Sequence, residues 1–87
     1  MLYMAVYTDA GDLNAVGELE RHAAFHQVLS NASSWGAIMR SVYTDAPAQT
    51  MYFLFETEHS EHIATIFQPI LGFGELETVQ VIDRLAL

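Results

Sequence analysis

The sequence predicts an α+β, ferredoxin-like fold: β-α-β-β-α-β, a four-stranded antiparallel sheet with two helices on one face. Three observations predict it. Four short apolar runs, at 1–8, 37–44, 50–57 and 75–83, have strand-like composition. Two longer segments with helical character lie between the first and second runs and between the third and fourth. A weak internal repeat also relates the halves: Tyr3-Met4-Ala5-Val6-Tyr7-Thr8-Asp9 parallels Tyr52-Phe53-Leu54-Phe55-Glu56-Thr57-Glu58, each a strand running into a helix.

MLYMAVYT (1–8) is compact and apolar, with no helix-start signal before it, and reads as a strand. DAGD (9–12) is a turn, with Asp9 or Asp12 available to cap a helix beginning just after it. LNAVGELERHAAFHQVLS (13–30) is long enough for several helical turns, and NASSWG (31–36) breaks it. AIMRSVYT (37–44) is the second strand, and Pro47 punctuates the turn DAPAQ (45–49). TMYFLFET (50–57) is the most strand-like run of the chain. HIATIFQPIL (62–71) is a short helix interrupted or ended near Pro69, GFG (72–74) is a break, and ELETVQVID (75–83) is the last strand.

Side chains alternate along a strand. Met51, Phe53 and Phe55 therefore share one face, and Tyr52, Leu54 and Glu56 the other. In the first strand Leu2, Met4 and Val6 oppose Tyr3, Ala5 and Tyr7. Placing the purely apolar sets under the helices leaves an open face carrying Tyr3, Tyr7, Tyr52 and Leu54. That face is too apolar to leave wet, and a second subunit covering it is the expected solution. In the first helix, at about 100° per residue, Leu29, His22, Ala15, His26, Leu19, Ala23 and Val16 form one stripe expected to face the sheet. His22 and His26 stack on adjacent turns within it.

Composition bounds the function. The chain has 87 residues, expected as one domain over 1–87, with 52% hydrophobic residues, eleven acids against three bases and a net charge of −8. This acidic protein disfavours nucleic-acid backbones and anionic membranes as partners. It has no lysine and no cysteine, so lysine Schiff bases, disulfides and thiolate chemistry are excluded. No basic region precedes the first apolar run and no stretch approaches a membrane span, so a soluble, cytoplasmic protein is the expectation.

ETEHSEHIATIFQP (56–69) raises a sharper question, because His59 and His62 sit among Glu56, Glu58 and Glu61. Ile63, Ile66, Phe67 and Ile70 form the buried stripe of the second helix, which makes the preceding residues its start. Thr57 or Ser60 can accept backbone N–H bonds there. No third ligand converges in the sequence, and no tight metal site is expected. Arg40, one of the three bases, has two readings: pairing with a carboxylate across the sheet, or reaching an anionic ligand. Gly72 and Gly74 make no phosphate loop, because strand-to-helix order and a basic residue are missing.

MLYMAVYT, YFLFETEHSEH and QPILGFGELETVQVI resemble a family of short bacterial ferredoxin-like proteins of unknown function, and more broadly the dimeric α/β-barrel superfamily. The resemblance implies two subunits packed sheet to sheet. It also implies a range of roles: small cofactorless monooxygenases, muconolactone-isomerase-like enzymes, haem-handling proteins and effector-binding domains. Its motifs are structural and carry no catalytic signature.

The expected function is binding of a small apolar or aromatic metabolite between helices and sheet, with no cofactor. His22 or His26 would be general base or hydrogen-bond donor. Trp35, Met4 and Phe53 would be apolar walls, and Arg40 a ligand contact. A cofactorless oxidation or an isomerisation is implied by resemblance alone. Two alternatives stand beside it: a non-catalytic ligand-sensing or assembly module, and a metal-binding protein using the four histidines.

Overall fold

The computed structural model describes residues 1–10 and 17–86. The elements follow in the expected order: β1 (Leu2–Asp9), α1 (Glu18–Ser34), β2 (Ile38–Asp45), β3 (Thr50–Glu56), α2 (Ile63–Phe67) and β4 (Gly74–Val81). Short 3-10 turns, Ser60–His62 and Gln68–Ile70, flank α2. All pairings are antiparallel, and the sheet order is β2-β3-β1-β4. The two repeat-bearing strands are thus the central pair.

The core fills the space between sheet and helices. Phe53, Phe55, Ala5, Val28, Ile66 and Phe67 are fully buried, and Ala32 and Ile70 nearly so. Phe67 packs edge-on to Phe53 at 5.1 Å between ring centroids. Ile66, Phe67 and Ile70 are the buried stripe expected of the second helix, with Ile63 packed against them. The Thr57 hydroxyl accepts the His59 N–H at 3.0 Å, which fixes the chain as it enters that helix.

Two expectations about facing are corrected. The register pairs Tyr3 with Phe55, Ala5 with Phe53 and Tyr7 with Met51. Paired residues share a face, so Tyr3, Ala5 and Tyr7 lie under the helices. Leu2, Met4 and Val6 lie on the open face with Tyr52, Leu54, Val79 and Val81. Tyrosine reads as a polar residue in the sequence, but Tyr7 is only 5% exposed. Its hydroxyl is satisfied by Asp9, two residues on and on the same face.

The first helix is turned by roughly 150° from the expected stripe. Arg21, Ala24, Phe25, Val28 and Ala32 face inward, at helical spacing. Leu19 is 84% exposed, and His22 and His26 are exposed too. A charged Arg21 belongs on the inner side because it bonds Asp9, a partner that helical periodicity does not register. The candidate cap Asp12 and residues 13–16 of the expected helix lie outside the described residues.

The helix also runs through NASS to Ser34 rather than stopping at 30. Asn31 donates through Nδ2 to the Ile66 carbonyl at 3.3 Å, and Ala32 is buried, so tertiary contacts override the poor helix formers. It ends in a Schellman arrangement. The Ala37 N–H reaches the Ala32 carbonyl at 2.8 Å and the Gly36 N–H reaches Ser33, with Gly36 at φ +75°.

Candidate functional site

At one end of the molecule, the end of β1, the first turns of α1 and the β2–β3 turn enclose a cleft. Its cavity of about 400 Å³ is lined by Asp9, Arg21, Thr44, Ala46, Gln49, Thr50 and Met51. A smaller recess of about 70 Å³ shares Asp9, Arg21 and Met51 and adds Tyr7, Phe25, Ile70 and Phe73. The cleft therefore passes from a polar rim to apolar walls, as small-molecule sites commonly do.

Three side chains from two elements form its polar centre. Tyr7 donates from Oη to Asp9 Oδ1 at 2.6 Å, and Arg21 donates from Nη1 to Asp9 Oδ2 at 2.7 Å. The Arg21 and Asp9 side chains are only 19% and 18% exposed. Burial, above all, raises the Tyr7 hydroxyl well above its ordinary pKa; its bond to Asp9 and the Asp9 charge add to this, and Arg21 opposes it. Tyr7 therefore stays protonated and serves as a donor. Arg21 Nε is buried with no hydrogen-bond partner among the described residues.

The backbone around the cleft is tightly constrained. Gln49 has a φ of +52°, in the left-handed region that non-glycine residues avoid. Its carbonyl accepts the Asp9 N–H at 3.0 Å, tying the rim to the end of β1. Gly74 pairs with Asp9, and a Cβ there would lie 2.8 Å from the Tyr7 ring and collide with the Thr8 carbonyl. A side chain at 74 would force the Thr8–Asp9 backbone or the Tyr7 ring to shift.

The residues singled out from the sequence do not converge on this cleft, and only His22 and His26 among them are brought together. His22 and His26 pair on the outer surface of α1, with their Nε2 atoms 3.0 Å apart. Phe53 is wholly core, while Met4, paired with Leu54, is on the opposite side of the sheet. Trp35 caps the end of α1, 42% exposed, with its ring 4.8 Å from His62. Arg40 stands at an irregularity in β2 and donates to Glu56 Oε2 at 2.6 Å, the carboxylate-pairing reading.

The signal that could have found the cleft was Tyr7-x-Asp9, a hydroxyl and a carboxylate on one strand face, together with a lone base early in the first helix.

A second polar group lies at the other approach to the core. His59, Glu61 and His62 offer ligand atoms within 4.8 Å of one another. His59 Nδ1 is 3.3 Å from Glu61 Oε1. The Glu61 carboxyl is held below its ordinary range, chiefly by its own backbone N–H, with His59 and His62 contributing. His62 Nδ1 is buried without a partner among the described residues.

Comparison with known proteins supports the fold. The chain is similar in structure to the SCO4226 protein from Streptomyces coelicolor A3(2), with a TM-score of 0.64 and 16% sequence identity, over 93% of this chain and 95% of that one. Likeness at that identity is likeness of fold. No protein-family model matches the sequence, and no curated protein matches it. No described helix is long and apolar enough to cross a membrane.

Proposed function

We propose that this protein binds a small molecule with an apolar body and a carbonyl or carboxylate end, in the cleft at Arg21, and does so as a homodimer. The observation that carries the reading is Arg21 Nε, a buried donor with no partner among the described residues, on a side chain that lines an apolar-walled recess. Leaving such a donor unpaired costs about 1–3 kcal/mol, and an acceptor on a ligand recovers that cost. Asp9 already balances the arginine charge, so the site favours one acceptor group over a polyanion. Met51, Phe25 and Phe73 suit a flat or aliphatic body.

Binding without turnover is the better-supported form of this reading. Among the described residues lining the cleft, Asp9 is the one carboxylate, and it already accepts from both Tyr7 and Arg21. The protonated Tyr7 cannot serve as a base, and each Asp9 oxygen is already engaged in a hydrogen bond.

The dimer rests on the open sheet face. Leu2, Met4, Val6, Leu54, Val79 and Val81 form an apolar patch across three strands, with Val79 54% exposed and with Glu56 beside Leu2 and Glu77 beside Val6 at its margins. The resemblance to dimeric α/β barrels points to the same face. Covering about 800 Å² per subunit at about 25 cal/mol per Å² gives a large driving force for a small domain.

The ligand reading is tested by calorimetric titration with benzoate and benzamide. Arg21→Met keeps the apolar stem and removes the donors. The wild-type protein should bind at least one probe, and Arg21→Met should lose that binding while keeping its far-ultraviolet spectrum. Equal binding by both proteins would refute the assignment.

A further inference from the structure

We propose that His59, Glu61 and His62 form a binding site for a late first-row divalent cation, of the zinc and nickel class, at the mouth of the Trp35–His62 contact. This site is separate from the Arg21 cleft and does not depend on it. The sequence argued against metal here for want of a third convergent ligand; the fold supplies Glu61. The 3-10 turn Ser60–His62 carries Glu61 and His62, and His59 stands immediately before it. The three ligand atoms gather within 4.8 Å, and the His59 and Glu61 side chains, 57% and 66% exposed, are free to rotate inward. Ligands on one tetrahedral zinc stand roughly 3.4 Å apart, so the required contraction is a side-chain adjustment.

A second observation points the same way. His62 Nδ1 is buried with no hydrogen-bond partner among the described residues, although the ring is held in place against Trp35. An imidazole nitrogen oriented by packing and left without a hydrogen bond is suited to a metal. Two imidazoles and one carboxylate select zinc, nickel or copper over magnesium or calcium, which prefer oxygen ligands. Three protein ligands leave the remaining positions to water or to a further ligand.

Trp35 is the chain's one tryptophan and its ring is 4.8 Å from that of His62, which makes it a reporter. The test uses full-length protein without an affinity tag. Zinc and nickel chlorides are titrated by calorimetry, and nickel also by Trp35 fluorescence, with magnesium chloride as control. One zinc per chain is expected, with saturable quenching by nickel and none by magnesium. Glu61→Gln, an exposed near-isosteric change, and His62→Ala should each weaken zinc binding by at least about tenfold. The double variant His22→Ala/His26→Ala should leave the Trp35 response unchanged. Zinc binding that survives Glu61→Gln and His62→Ala would overturn the proposal, as would loss of the response in the His22/His26 variant. So would wild-type binding no tighter than that of magnesium, which would signify only diffuse attraction to an acidic protein.

Discussion

Replacing Tyr7 with phenylalanine isolates the polar centre of the cleft. The ring stays, and one bond to Asp9 is lost. A hydrogen bond to a charged acceptor contributes about 1.5–3 kcal/mol. Asp9 keeps Arg21 as a partner and is partly solvated, so the low end applies, and Tyr7→Phe should cost about 1.5 kcal/mol near pH 7. The pH dependence carries more information. The folded-state pKa of Tyr7 is raised, so its stabilising contribution is complete below the unfolded value of about 10 and declines above it. At pH 11 the unfolded chain gains about 1.4 kcal/mol by ionising this residue while native Tyr7 stays protonated. The other tyrosines are present in both proteins and cancel. The difference between wild type and Tyr7→Phe should therefore shrink from about 1.5 kcal/mol at pH 7 to near zero at pH 11. Urea denaturation monitored by Trp35 fluorescence, at fixed protein concentration and at pH 7, 9, 10 and 11, measures this. A difference that stays constant across that range, or a variant as stable as wild type at pH 7, would refute the reasoning.

Gly74→Ala should destabilise the fold by about 2–3 kcal/mol, because its Cβ meets the Thr8 backbone carbonyl as well as the Tyr7 ring; thermal denaturation checks it. The same variant, where it folds, should lose binding of the benzoate or benzamide probe as the Thr8–Asp9 backbone or the Tyr7 ring shifts. Leu54→Asp, at the middle of the open face, should convert a dimer to a monomer, since a carboxylate there would be buried unpaired; light scattering decides, and a wild-type monomer at micromolar concentration would remove the dimer from the account. Arg40→Gln should change stability by less than about 1 kcal/mol, because its pair with Glu56 is solvent-exposed on both sides.

The order of elements along the chain and the second helix were legible because their apolar runs are short, dense and bounded by turn residues. Met51, Phe53 and Phe55 fall on the core face as alternation requires. The face of β1 was not legible. Alternation gives two sets, and choosing between them by polarity fails when a buried tyrosine finds a local partner, as Tyr7 does in Asp9. The inward face of α1 was lost for a related reason. Leucines at 19 and 29 drew the stripe to one side, whereas the packed residues are two alanines, Phe25 and Val28, which carry a weaker periodic signal. Arg21 was invisible as a site residue because its role depends on a contact with β1, twelve positions away. His59, Glu61 and His62 were visible as residue types, but their convergence depends on the tight turn that gathers them.

The central claim, an acceptor-bearing ligand at Arg21, is tested most directly by the arginine Nε–Hε signals of the protein in a nitrogen–proton correlation spectrum. The chain has three arginines, Arg21, Arg40 and Arg84, and Arg21→Met identifies the signal of interest by its disappearance. Titration with benzoate or benzamide should shift the Arg21 signal saturably and leave those of Arg40 and Arg84 in place. An Arg21 signal that does not move while other resonances report binding, or that moves no more than the other two, would contradict the account.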